Sequence, residues 1–300
     1  MTPTNDFGIL DTVVHNFTSA IAGTWGPQLF YYLQPVLFAI IVLQFGLVAV
    51  EATVQRDIPL LLSHTMMGLF RIGVVWSIFT YGFSWANSIV QTGQALGNNI
   101  SGFGLTPSGV FDAGLGVMET IFHTKASGTW YLEPFEKLEF FMVGTAVMLC
   151  WLFASGIYLG VLIEAALLVY VGPLITAFTP LSWTFEMLLI WGRSLLGTAF
   201  KVALVLMTLA LGMVLANQWI AMTTATSNTF TTNIWNMLVA IVESLVFAVA
   251  VWRVPNRISG LTAGAATIGF GEAVLGMAAS GAGAAYGPLS GVKAMTSGPT

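Results

Sequence analysis

Between Glu139 and Glu186 the chain carries one charge, Glu164, over 46 residues. As one straight helix that run would measure about 69 Å, at 1.5 Å per residue. The hydrocarbon core of a bilayer is only about 30 Å thick. Such a run cannot form a water-washed surface, and a single crossing does not use it up. A second run, QLFYYLQPVLFAIIVLQFGLVAV at 28–50, is 23 residues without a charge, where about 20 suffice to cross. Across all 300 residues the charged fraction is 7%, against about 25% for a soluble domain. The sequence therefore specifies an all-α, polytopic membrane protein. A net charge of -4 excludes a basic nucleic-acid patch. The one cysteine, Cys150, excludes a disulfide framework and a cysteine metal site.

Five segments follow along the chain. Residues 1–27 have no Lys or Arg, so the basic start of a signal peptide is missing. Within them, Leu10, Val13, Val14, Phe17 and Ile21 recur at helical spacing over 7–21. This is an amphipathic helix, lying in the membrane interface or packed on the rest of the protein. Residues 28–84 hold the first two spans, the second interrupted by Arg71. Residues 85–137, rich in Gly, Asn, Ser and Thr, read as a partly helical domain lying against the membrane. Residues 138–258 form a membrane core whose long apolar run breaks at Gly172-Pro173. Residues 259–300 read as a flexible Gly/Ala-rich tail.

The distribution of Lys and Arg leaves two topologies open. Five crossings with the N-terminus outside put Arg56, Arg193, Lys201, Arg253, Arg257 and Lys293 inside, and Lys125 and Lys137 outside. Six crossings with the N-terminus inside leave only Arg56 outside.

His15, His64 and His123 lie in separate segments without a paired metal-ligand spacing, and no phosphate loop or nucleophile motif occurs. The sequence points away from an enzyme, and no cofactor is expected. What stands out is ionisable residues in apolar surroundings. Charge at the bilayer centre costs about 2.5–3.5 kcal/mol on insertion scales. Arg71, Glu164 and Glu243 are thus candidates for a polar pathway, or the two carboxyls are protonated and hydrogen-bonded between helices. Lys201 is expected to snorkel to the cytoplasmic interface.

Three segments carry a resemblance: SGFGLTPSGVFDAGLGVMETIF at 101–122, YVGPLITAFTPLSWTFEMLLIWGRSLLGTAFKVALVLM at 170–207, and VWRVPNRISGLTAGA at 251–265. In order and spacing they resemble the TrbL family of conjugal-transfer proteins, polytopic inner-membrane subunits of bacterial type IV secretion systems. The resemblance implies five crossings, a periplasmic N-terminus and 85–137 loop, and a cytoplasmic C-terminus. It further implies a homo-oligomeric ring, expected to be a pentamer. Such a ring works with the pilus stalk subunit, pilin, other inner-membrane components and membrane lipid, and contacts single-stranded DNA or protein in transit. Within this frame Leu115, Met118 and Phe122 present an apolar face for a partner. Gly197 and Gly212 present small-residue faces for neighbouring subunits. The rivals are a stand-alone small-solute transporter or channel, built around Arg71, Glu164 and Glu243, and an inert scaffold.

Overall fold

In hydrocarbon every backbone N–H and C=O must find a partner within the chain, so apolar runs of this length become helices. The computed structural model describes residues 8–55, 58–122, 133–181, 184–224 and 234–263. Arg56, Lys125, Lys293 and the tail from 264 onward lie outside the described residues. All described regular elements are helical. They are α1 (Ile9–Ala20), a π-helical turn (Ile21–Trp25), α2 (Gly26–Gln55), α3 (Ile58–Ser101), α4 (Pro107–Phe122), α5 (Glu133–Phe178), α6 (Phe185–Thr224) and α7 (Ile234–Ala263). Five stretches are long and apolar enough to cross a membrane: Ile9–Glu51, Thr65–Ser101, Lys137–Phe178, Phe185–Ala221 and Leu238–Arg257.

Two boundaries differ from the sequence reading. The second span does not end near residue 84. α3 continues to Ser101 and stops where Gly102 takes φ +71 and its N–H reaches the Asn98 carbonyl, a left-handed cap that glycine adopts without strain. The polar residues of 84–101 hid this continuation. Ser84, Asn87, Gln91, Gln94 and Asn98 recur at steps of three and four, so they make one polar stripe on a helix rather than a loop.

The long run of α5 also does not break at Gly172-Pro173; the helix continues to Phe178. Pro173 withdraws a donor from the Val169 carbonyl, four residues back. One residue earlier, the Leu168 carbonyl accepts the Trp191 indole N–H at 2.9 Å. Gly172 lets that indole lie directly on the helix. The indole from α6 thus braces the turn beside Pro173 without replacing the donor that the Val169 carbonyl loses.

The helices bury one main apolar cluster, centred on α5 and α6 and including Trp151, Val202, Leu206 and Leu209. Neighbours meet α5 at two different levels. Along its first half, Phe122 and Phe141 stack at 5.6 Å and Trp151 meets Phe247 of α7 at 4.9 Å. Along its second half, Tyr170 lies on Gly26 and beside Phe83. Ala177 joins Leu33, Leu37, Val75 and Phe79 in a separate cluster with α2 and α3.

Candidate functional site

The geometry of the site begins with α5 and α6, which run antiparallel and face each other over much of their length. Glu164 on α5 and Lys201 on α6 meet there, with Nζ 2.6 Å from Oε2. The Lys201 side chain is 5% exposed and that of Glu164 24%. This corrects the expectation that Lys201 snorkels outward. An apolar stretch surrounds the lysine on its own helix, with Val202, Ala203, Val205 and Leu206 all buried. A lone ammonium there would be costly, and the carboxylate from the facing helix offsets that cost.

The other two predicted intramembrane charges lie elsewhere along the bundle. Arg71 is half-buried on α3, with its guanidinium 5.6 Å from the centre of the Phe185 ring at the start of α6. Glu243 on α7 accepts the Trp219 indole N–H at 3.1 Å, near the opposite end of α6. Arg71, Glu164 and Glu243 are therefore held by three separate contacts, each made with α6. Among the described residues no group of three His, Cys, Asp or Glu is placed to hold a metal ion.

The remaining candidates sit as follows. Met118 and Phe122 lie over Gly144 of α5 in the same chain, and Leu115 is half-buried beside them. The fully buried side of α4 is Val110, Gly114, Val117 and Ile121, with Gly114 pressed against Trp151. Gly197 is buried, and Gly212 leaves room for the Phe247 ring of α7.

A comparison of the sequence with protein-family models matches TrbL/VirB6 plasmid conjugal transfer protein over residues 41–254. The chain belongs to this family. No curated protein and no solved structure matches it significantly. The matched range of this TrbL/VirB6 protein opens inside α2 and closes inside α7, so Arg71, the Glu164–Lys201 pair and Glu243 all fall within it. α1 falls outside it.

Sequence reasoning missed a second polar cluster, where α1 is tied to the start of α4. Thr106 Oγ1 accepts the Gly109 N–H at 3.1 Å, and Pro107 occupies the first helical position, which suits its missing N–H. The Asp11 carboxylate of α1 accepts the Ser108 N–H at 3.2 Å, while the Ser108 hydroxyl accepts the Asp11 N–H at 3.1 Å. A carboxylate is well placed at a helix N-terminus, where the peptide dipoles leave partial positive charge. Below them, the Tyr158 hydroxyl of α5 donates to the Leu105 carbonyl at 3.2 Å. The Thr-Pro-Ser turn was visible in the sequence, but its partner lies 97 residues away.

Proposed function

We propose that this TrbL/VirB6 protein is an inner-membrane channel or platform subunit of a bacterial type IV secretion system. In this reading it supports pilus biogenesis and the passage of DNA or protein substrate. The N-terminus and the segment around α4 face the periplasm, and the C-terminus faces the cytoplasm. Identical copies form a ring, expected to be a pentamer, that meets the pilus stalk subunit and pilin. Membership of a conjugal-transfer family supports the secretion role. The observation that carries the membrane-embedded part is the Glu164–Lys201 pair, buried between two membrane-spanning helices. Intramembrane charge retained in this way marks a path or a moving contact more often than bulk packing.

The test is complementation. In a donor strain lacking this chain, transfer frequency and pilus number should both fall and return with the wild-type copy. Topology is read on a Cys150→Ala background with Ser19→Cys, Asn99→Cys or Arg257→Cys, all exposed positions. An impermeant thiol reagent added to intact cells should label the first two and not the third. Solute flux through purified protein in liposomes, with transfer unaffected by the deletion, would replace the reading by that of a stand-alone transporter.

A further inference from the structure

A polar cavity of about 250 Å³ lies where α1 and α5 flank α3. Its α3 wall is the middle of the polar stripe, Asn87, Gln91 and Gln94. Asn87 and Gln91 are exposed and Gln94 is half-buried. Among the described residues none of these three carboxamides has a hydrogen-bond partner. Thr18 of α1 and Tyr170 of α5 complete the polar part of the lining. The Thr18 hydroxyl donates to the Val14 carbonyl at 2.8 Å, so its oxygen is left to accept.

The lining sets the class of ligand. It holds no Asp, Glu, Lys, Arg or His, so a phosphate, a carboxylate or a cation would find no countercharge there. Each carboxamide offers two N–H donors and a carbonyl acceptor. That set complements a peptide group, which presents one N–H and one C=O. Asn87, Gln91 and Gln94 follow one another at steps of four and three residues, a rise of about 6 and 4.5 Å. An extended chain turns its N–H and C=O groups to one side about every 6.8 Å, two residues at 3.4 Å, a spacing that flexible Gln side chains can meet. The Tyr170 ring already packs on Gly26 and beside Phe83, at 4.8 Å, which makes it a poor stacking platform for a sugar or a base. The cavity is also smaller than the about 300–1,000 Å³ of pockets that enclose a whole small molecule. It suits part of a longer chain laid across it.

We propose that this cavity binds an extended, uncharged polypeptide segment of a partner protein through its backbone. The carboxamides of α3 pair with successive peptide groups, and alternate side chains of the segment turn to Val90, Leu162 and Val169 in the lining. Recognition of this kind reads the backbone and not the sequence, so it requires only that the segment be unfolded and free of charge. It stands apart from the secretion reading, and either can fail alone, because it is measured on the purified chain and not by transfer.

The test titrates the detergent-purified full chain into an end-capped decapeptide that alternates Val with Ser or Thr and carries a neutral fluorophore, with binding read by anisotropy. The wild type should bind it saturably. Asn87→Ala and Gln91→Ala, both at exposed helical positions where alanine is well tolerated, should each weaken binding about fivefold, as expected for the loss of one hydrogen bond. Ser88→Ala, on the same helix outside this lining, should leave binding unchanged. The same peptide methylated at every backbone nitrogen should bind about tenfold more weakly or not at all, since it can no longer donate. No saturable binding by the wild type overturns the proposal, as does equal binding of the methylated peptide or full affinity in both alanine variants. Displacement of the peptide by maltotriose or by oligodeoxythymidine reassigns the cavity to a sugar or a nucleic-acid strand and overturns it as well.

Discussion

Removing one member of the Glu164–Lys201 pair separates its two roles. Breaking a buried pair by deleting one partner costs about 3–5 kcal/mol, because the other charge is left uncompensated. The two deletions should not cost the same. Glu164→Gln strands an ammonium whose side chain is 5% exposed, so it should approach about 3 kcal/mol. Lys201→Met strands a carboxylate that is 24% exposed. That group can reach water, so its cost is discounted to about 1–2 kcal/mol. At about 2–4 °C per kcal/mol for a domain of this size, Glu164→Gln should lower the melting midpoint in detergent by about 6–12 °C. The double variant should be more stable than the sum of the singles by at least about 1 kcal/mol, since neither charge is then orphaned. The midpoint is read by fluorescence-detected size exclusion after heating, and conjugal transfer is measured on the same variants. If the double variant regains stability but not transfer, the charges act in secretion. If it regains both, the pair is structural. Strict additivity of the two single losses would refute the contact itself.

Three further outcomes follow from local geometry. Gly114→Ala places a methyl group into Trp151, which is 1% exposed; it should cost about 1–3 kcal/mol, read as a lower melting midpoint, while Gly116→Ala, whose added atom would meet nothing nearer than 3.9 Å, should be near neutral. Asp11→Ala removes the acceptor of the Ser108 N–H and should weaken the docking of α1 by about 1 kcal/mol, seen as faster amide exchange over α1; Asp11→Asn, which keeps an acceptor, should restore much of the protection. Trp191→Phe deletes the indole donor to Leu168 and should cost about 0.5–1.5 kcal/mol for that hydrogen bond, with the loss in exchange protection centred on residues 168–173.

The apolar spans were legible because membrane helices are written in runs of uncharged residues, and the five stretches overlap those runs, though the first begins at Ile9 and the second ends at Ser101. The end of α3 was not, because helix continuity beyond the apolar part rests on a polar stripe that reads locally as loop composition. The break assigned to Gly172-Pro173 failed for a different reason. The proline penalty is read from the local sequence, whereas the packing that braces the helix beside it, with the Trp191 indole seated on Gly172 and bonded to the Leu168 carbonyl, comes from the next helix. The same distance in sequence concealed the ion pair. Glu164 and Lys201 are 37 residues apart, and each taken singly had a plausible local fate. The signal that would have joined them was their opposite sign in two consecutive apolar runs, since charges buried in a bundle are normally paired. Met118 and Phe122 pack on Gly144 of α5, a contact between elements that the helical pattern of α4 alone does not show, while Phe122 stays 37% exposed.

The position of the ion pair gives it a role that its energy alone does not. α5 and α6 contain 46 and 40 residues, about 69 and 60 Å of helix, roughly twice the thickness of the hydrocarbon core. Their lengths carry them past two sets of neighbours. α4 and α7 meet α5 at Phe141 and Trp151, α2 and α3 meet it at Tyr170 and Ala177, and α3 also borders Leu162 and Ala166 beside Glu164. The apolar seams already resist a slip of one helical turn, since rings seat on glycines there, as Trp191 does on Gly172. The charged pair adds to that resistance, since a slip of one turn separates Nζ from Oε2 by about 5 Å and strands the buried Lys201 ammonium. The Glu164–Lys201 contact therefore adds a directional tie to the register of the two long helices, beside the ring-on-glycine contacts. A sliding motion of α5 against α6 would have to break it first.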